Sequence, residues 1–449
     1  MNEMRDLRIG VAKQDIAPDH PELFKLWGMP RKVNSRTLRQ PLFVEALAVA
    51  CGTEIVFVVT SDLLFINQSL AIAVRRKVAE QTGCDPMDIL FSATHCHSSV
   101  YVPEAGDTPD MKTARVVHEH KVVSAFVQAC LEARAGLAPA EFAVTSVQLD
   151  PPPGACRRIR LSNGTCLNSW NSGTISIPGT KFVGPASPPS RQVDVLCVRR
   201  LKETNPFAIM TSYASHIHLN SIPLAHGEVA GGVKQELEAR LPGITALYAH
   251  STGGDMTMQA VTPRSTSGND EEDLAWQGEN IRLLARRFAD AVVAAVPSLQ
   301  YHRPDTLYRA RYQDRAEFDA SPNPRPAPGI LIHGVALGDL AILTLQGELF
   351  SDYGLELHRR SPFPNLLILG YNEVGYSYLG TPIAYEQGSY ELKGLIPKTP
   401  QDEADFKQWD FPVFPLGRAE LGKEIVDRAI GVLSDLKHQQ SASPLKHAL

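Results

Sequence analysis

The chain has 449 residues, and its hydrophobic fraction of 43% is enough for one large domain or two to three ordinary ones with a buried core. The formal net charge is −5 with acidic and basic residues mixed along the chain, which argues against a nucleic-acid or anionic-lipid surface. No window approaches the roughly 18 apolar residues of a membrane span, and no apolar signal segment follows the charged N-terminus. We therefore expect a cytoplasmic protein without stable membrane association.

Strand-like and helix-like segments alternate along the chain. Apolar, strand-length runs are predicted as strands at 54–59, 88–93, 207–213 and 340–345. Helical periodicity predicts helices at 68–80, 113–134, 271–296 and 418–436, and a shorter one that ends at Leu241. The alternation predicts an α/β fold: a single large domain with mixed β-sheets flanked by helices, with a metal site at strand ends.

Two H-x-H motifs, at 95–97 and 216–218, each stand at the end of a predicted strand. In extended backbone the side chains at i and i+2 share one face, so each motif would present a pair of imidazoles. Cys96 would then point to the opposite face, which indicates a structural thiol; the odd number of cysteines without a CxxC pair indicates reduced thiols throughout. His118 and His120 repeat the motif in a helical segment, which splays them apart, so we expect ordinary helix residues.

Glu348 is the candidate acidic partner of these histidines. The buried run 340–345 leads into Gln346, Gly347 and Glu348, which places a carboxylate at the end of a core element. Zinc favours histidine and carboxylate ligands, and a catalytic site leaves one position for water. From the residues alone two interpretations stay open: a metal centre, or satisfied core histidines with a solvated carboxylate at a turn.

His250 ends another apolar run, ahead of a glycine-containing turn at 251–255, and we expect it to face the pocket. A phosphate loop is not indicated because no Gly-Lys-Ser/Thr follows the turn. Asp62 and Asp255 are candidates for orienting histidine ligands, with turn capping as the alternative. The sequence assigns no role to His218, His226, His250 or Thr257.

Read together, the ordered segments resemble the catalytic domain of the neutral/alkaline, non-lysosomal ceramidases over nearly the whole chain. The similar segments are GVAKQDIAP at 10–18, SDL at 61–63, ATHCHS at 93–98, CRR at 156–158, YASH at 213–216, GD at 254–255, GE at 347–348 and NEVGYSYLGTPIAYEQGSYE at 372–391. We expect this catalytic domain to cover 1–438 and the polar stretch 439–449 to be a disordered tail. The C-terminal immunoglobulin-like domain of those enzymes is not expected here.

The resemblance implies a ligand set for one zinc ion per chain: His95, His216, Glu348 and Tyr378. It implies three further residues beside the scissile group: His97, Arg157 and Tyr390. Without the resemblance, Tyr378 would be interpreted as a packed aromatic residue and Arg157 as a solvated cation. Both assignments therefore come from the family pattern and not from spacing.

The implied function is zinc-dependent hydrolysis of a C–N amide bond in a small or N-acylated substrate by metal-activated water. The segment 254–258 reads GDMTM where ceramidases have GDVSP, and 97–100 reads HSSV where they have HSGP, which argues against ceramide and favours a smaller, polar amide. A zinc-dependent ester or lactone hydrolase or a lyase remains an alternative, as does a non-catalytic ceramidase-like binding protein. The sequence predicts no oligomeric state.

Overall fold

The structure is a computed structural model, and it describes residues 6–24, 40–99, 108–169, 179–219, 225–263, 270–314, 329–373, 378–392 and 419–442. The helices of these ranges are α1 Gln68–Thr82, α2 Pro109–Ala135, α3 Glu228–Arg240, α4 Asp270–Ala295, α5 Ser351–Arg360, α6 Pro382–Gln387 and α7 Leu421–Ala442. The strands are β1 Leu7–Asp15, β2 Phe43–Cys51, β3 Glu54–Ser61, β4 Ile89–Ala93, β5 Ala138–Gln148, β6 Gly154–Cys156, β7 Arg158–Leu161, β8 Cys166–Asn168, β9 Phe182–Pro185, β10 Gln192–Arg200, β11 Pro206–Tyr213, β12 Thr245–His250, β13 Met256–Met258, β14 Leu307–Gln313, β15 Leu331–Leu337, β16 Leu340–Thr344, β17 Glu348–Leu349, β18 Asn365–Leu369 and β19 Tyr378–Leu379.

Two mixed sheets form the centre of the fold. The larger has eight strands in the order β12-β11-β10-β5-β1-β2-β3-β4, and the smaller has four in the order β14-β15-β16-β18. In the larger sheet the pairs β3–β4 and β11–β12 are parallel and the others antiparallel. The predicted α/β fold with mixed sheets flanked by helices is confirmed.

Successive side chains of the strands point to opposite faces, and the fold has four layers. In β2, Val44, Ala46 and Ala48 pack in one core cluster with residues of α1, α2, α3 and α4, whereas Leu47 and Val49 pack in a second cluster against the smaller sheet. The other face of the smaller sheet packs on α5 and α7. Both faces of the two sheets are therefore covered, which explains why strands such as β2, β4 and β16 are buried along nearly their whole length.

Two β-α-β units carry the segments that the sequence singles out. The unit β3-α1-β4 precedes the first H-x-H motif, and β11-α3-β12 contains the second. Although β4 and β12 stand at opposite edges of the larger sheet, β12 contacts both β3 and β4, so the sheet curls until its edges approach. The carboxyl ends of β4, β11 and β12 thus open into one region.

The helix predictions hold with small shifts of boundary. Helix α1 ends where the sequence predicts, at Gly83, whose φ of 74° is the left-handed conformation that glycine favours at a helix end. The predicted tail is wrong at its start, because α7 continues through Ala442. Gln439 and Gln440 donate to the carbonyls of Arg309 and Gly338 and hold this last turn. Residues 443–449 lie outside the described residues.

None of the helices described above combines the length and the apolar character needed to span a bilayer.

Candidate metal centre

The first H-x-H motif lies in the turn after β4 and not on the strand, contrary to the prediction. β4 ends at Ala93, and His95 has a left-handed φ of 60°. This turn brings Nε2 of His95 to 3.1 Å from Nε2 of His97. The two imidazoles converge because the backbone reverses, a conformation that costs energy in a non-glycine residue and that often occurs at functional sites.

The second motif is fixed by a single bridge to β13. The backbone N–H of His216 donates to Met256 O at 3.3 Å, and the N–H of Met258 donates to His216 O at 3.1 Å. His216 is fully buried, whereas His218 is half-buried with its ring centre 4.6 Å from that of His97. Only the first histidine of this motif therefore lies deep in the site.

Glu348 is positioned by a short parallel strand pair and by a glycine turn. Glu348 on β17 is the register partner of Tyr378 on β19. The N–H of Gly254 donates to Leu349 O at 2.8 Å, and a Cβ at residue 254 would lie 2.3 Å from the Glu348 carbonyl oxygen. Only glycine permits this approach, which brings Glu348 against the loop beside His216.

Three side chains from distant segments converge on one point. Glu348 Oε2 lies 3.5 Å from His95 Nε2 and 3.3 Å from His216 Nε2. The ligand atoms of His95, His97 and His216 all lie within 4.8 Å of one another. Neither His216 Nε2 nor Glu348 Oε2, both fully shielded from solvent, makes a hydrogen bond with a described residue. Buried polar atoms rarely lack partners, so this nitrogen and oxygen donor set fits a divalent cation such as zinc.

Backbone carbonyls orient the two deep imidazoles. His95 Nδ1 lies 3.0 Å from Leu64 O, and His216 Nδ1 lies 3.0 Å from Gly253 O. With Nδ1–H donated to a carbonyl, Nε2 keeps a lone pair for a metal. The expectation that aspartates orient these rings is wrong: Asp62 accepts from Lys234 and from the Phe43 N–H, and Asp255 accepts from the Ser351 N–H.

Burial disfavours the charged forms of the carboxylate and of the imidazoles in this site. Burial raises the pKa of Glu348 to about 8, against the opposing effect of the Arg157 guanidinium. Burial, with nearby imidazoles, lowers the pKa of His95 well below its usual range, and burial followed by Arg157 does the same for His216. The imidazoles are therefore neutral, as metal ligation requires, and a bound cation would favour the carboxylate form of Glu348.

The remaining predicted residues line the same region. The ring of Tyr378 stacks on His216 at 6.3 Å between centres, and the ring of Tyr390 lies 6.1 Å from that of Tyr378. Arg157 is buried and not solvated: its Nε donates to Glu391 at 2.7 Å and its Nη2 to Gly254 O at 2.8 Å. The structure brings all seven predicted residues together, while their individual roles stay predictions.

Sequence reasoning left two neighbours without a role. His250 is fully buried, and its ring centre lies 4.3 Å from that of Tyr371. Tyr371, which the sequence did not single out, lies two residues after the end of β18 and has a left-handed φ of 57°. The available signal was a side chain with a hydroxyl group just beyond a buried strand. Cys96 donates to His226 O at 3.1 Å and His118 packs on Phe24, in keeping with the structural roles expected for both.

Comparison with known proteins shows the fold. No protein-family model matches the chain, and no curated protein matches its sequence. A crystal structure of neutral ceramidase from Pseudomonas aeruginosa is similar with a TM-score of 0.71 and 15% identity, covering 97% of this chain and 75% of that one. A ceramidase complexed with C2 is similar with a TM-score of 0.71 and 14% identity, over 97% and 76% of the two chains. The chain therefore has the fold of these ceramidases, which confirms the resemblance at the level of fold.

Proposed function

We propose that this chain is a zinc-dependent amidohydrolase that cleaves the C–N bond of a small or N-acylated substrate. The observation that carries the proposal is the convergence of His95, His216 and Glu348 in a fold shared with an enzyme named neutral ceramidase. Two of the buried ligand atoms, His216 Nε2 and Glu348 Oε2, have no hydrogen-bond partner among the described residues. These three residues would hold one zinc ion per chain. Tyr378, which the resemblance implies as a further ligand, adjoins them with its ring against that of His216.

In the proposed reaction the oxygen of a water adds to the acyl carbon, the C–N bond breaks, and the nitrogen gains a proton, which yields a carboxylic acid and an amine. Zinc, when bound, supplies Lewis acidity that lowers the pKa of water and polarises the carbonyl. His97, whose Nδ1 has no partner among the described residues, carries the proton from the water to the leaving nitrogen.

Two further side chains act on the carbonyl oxygen. Arg157 is held by Glu391 and by Gly254 O, so its positive charge is already fixed before substrate binds. With the hydroxyl of Tyr390, it stabilises the negative charge that develops on the oxygen.

The segments 97–100 and 254–258 differ from the ceramidase pattern, and these differences favour a small, polar amide over ceramide as the substrate. The cytoplasmic location stays a prediction from the sequence.

The test combines metal content with a matched substrate pair. Protein dialysed against zinc and then against buffer should retain one zinc per chain by elemental analysis, and it should release amine from a short N-acyl amine. The corresponding acyl ester serves as the second substrate. Hydrolysis of the ester alone would favour the esterase alternative. A protein that retains no zinc, and that gains no activity when zinc is added, would rule out both enzymes and leave the binding-protein alternative.

A further inference from the structure

His250 is the last residue of β12, and its side chain reaches the proposed metal centre. It is fully buried, with its ring centre 5.8 Å from that of His95 and 6.0 Å from that of His216. The ring stands nearly perpendicular to both, at 89° and 87°. With Zn–N bonds of about 2.1 Å and tetrahedral angles, imidazoles that share one ion have ring centres roughly 5 to 6 Å apart. The position of His250 is compatible with such sharing.

The hydrogen bonds of His250 repeat those of the two deep imidazoles. Its Nδ1 lies 2.7 Å from Ser251 O, and its buried Nε2 has no partner among the described residues. His95 and His216 likewise have Nδ1 at a backbone carbonyl. His97 differs, because its Nδ1 has no partner of this kind. Anchoring of one ring nitrogen on a carbonyl is typical of histidines that ligate metals through the other.

Tyr371 holds His95 and His250 in this arrangement. Its ring centre lies 4.2 Å from that of His95 and 4.3 Å from that of His250. The N–H of Gly370 donates to His250 O at 2.6 Å, which ties the end of β12 to the segment that carries Tyr371. The orientation of His250 is thus fixed by packing as well as by the Ser251 carbonyl.

We propose that His250 is the third imidazole ligand of the metal, so that this chain has a His95, His216, His250 and Glu348 ligand set in which Tyr378 donates to Glu348 and does not ligate. The inference rests on the proposed function, since it concerns the same ion. A neutral imidazole offers its lone pair directly, whereas a phenol must lose a proton to become a strong ligand. Divalent transition metals with a preference for nitrogen are the class of ion that this set selects.

The experiment measures zinc affinity and coordination in four proteins: wild type, His250→Gln, Tyr378→Phe and His97→Ala. Zinc dissociation constants come from competition with a chromogenic chelator. We expect Tyr378→Phe and His97→Ala to weaken zinc binding by no more than the roughly 10- to 100-fold that loss of a hydrogen bond to a ligand costs, and His250→Gln, which removes a ligand, to weaken it further than either. Wild-type affinity in folded His250→Gln protein would overturn the inference.

A measurement on the wild type covers the case in which a variant does not fold. X-ray absorption of the zinc-loaded protein counts imidazoles at the metal; three in the wild type and three in His97→Ala support His250 as a ligand. Two imidazoles in the wild type would overturn the inference, as would a drop from three to two in His97→Ala. If the wild type binds no metal, the proposed function fails; if it binds metal with two imidazoles, only the ligation by His250 fails.

Discussion

Two buried polar clusters border the larger sheet, and they differ in how their polar atoms are satisfied. The histidine cluster consists of the site residues His95, His97, His216, His250 and Glu348. The lysine triad consists of Lys234, Glu45 and Asp62, all buried. Both clusters consist of buried polar side chains, so burial alone does not distinguish a functional site from a structural one.

Hydrogen bonding separates the two. Lys234 Nζ lies 2.6 Å from Glu45 Oε1 and 2.7 Å from Asp62 Oδ2, while Thr60 donates to Glu45 Oε2 at 3.0 Å. In the histidine cluster, Nε2 of His216, Nε2 of His250 and Oε2 of Glu348 have no partner among the described residues. The triad is complete in itself, whereas the histidine cluster requires a further group, and we infer that this difference reflects their functions.

The largest effect should follow removal of an imidazole from the histidine cluster. His216→Ala should lose zinc and lower kcat/KM by about a thousandfold or more, because several kcal/mol of transition-state stabilisation depends on the ion. Elemental analysis and turnover of the N-acyl amine measure both. His118→Ala is the matched control, since His118 is a buried histidine of α2 that packs on Phe24. Equal zinc content in the two variants would show that the ligand assignment is wrong.

The lysine triad should respond in stability and not in metal content. Lys234→Met leaves two carboxylates buried without their cation, which should lower the free energy of unfolding by about 3–5 kcal/mol. Denaturant titration measures the loss, and zinc per folded chain should stay at the wild-type value. Lys13→Met is the control, because the partly exposed Lys13–Glu238 pair, at 2.8 Å, should contribute no more than about 1 kcal/mol. A loss of zinc in folded Lys234→Met protein would contradict the separation of the two clusters.

The comparison also shows what the sequence can and cannot predict. The strand and helix periods give the α/β fold, and Glu348 is identifiable because a buried strand leads directly to it. The sequence predicts histidine pairing for the wrong reason, since His95 and His97 converge through a left-handed turn. Convergence of β4 with β12 depends on the curl of an eight-stranded sheet, which no local pattern encodes.

Two side chains of the site, Arg157 and Tyr378, could not be assigned from local sequence patterns, because both depend on contacts with residues far away in the sequence. Arg157 is a buried cation only because Glu391, more than two hundred positions along the chain, accepts from it. Tyr378 becomes a neighbour of Glu348 through a strand pair of two residues on each side. Such long-range contacts are created by tertiary packing, so here the family resemblance carried information that periodicity and spacing did not.

Glu228 links the histidine cluster to the pH dependence of stability. It is fully buried and accepts from Ser98 Oγ at 2.6 Å, next to His97, and burial raises its pKa from 4.5 to about 8. Between these pH values the folded state retains a proton that the unfolded state has lost, so stability falls as pH rises from about 4.5 to 8. Glu228→Gln should remove this fall.

The measurement for Glu228 is the difference between two pH profiles. We expect the free energy of unfolding of Glu228→Gln to match the wild type below pH 4.5 and to exceed it at pH 8 by roughly 4 kcal/mol, the value that a rise in pKa from 4.5 to about 8 implies. Taking the difference cancels other carboxyl groups with raised pKa values, such as Glu45. A variant that is less stable than the wild type at pH 8 would mean that the ionised carboxylate stabilises the turn that carries His97.

The smallest effect should come from Thr257, which lies on β13 directly beside His216. Thr257→Ala should keep kcat/KM within about fivefold of the wild type, because water is the proposed nucleophile and the bonds that hold His216 come from the backbone of Met256 and Met258. Zinc content, measured on the same sample, separates a chemical effect from a structural one. Complete loss of activity with zinc still in place would identify the Thr257 hydroxyl as a covalent nucleophile. The histidine cluster would then assist attack by this hydroxyl on the substrate, and not attack by water.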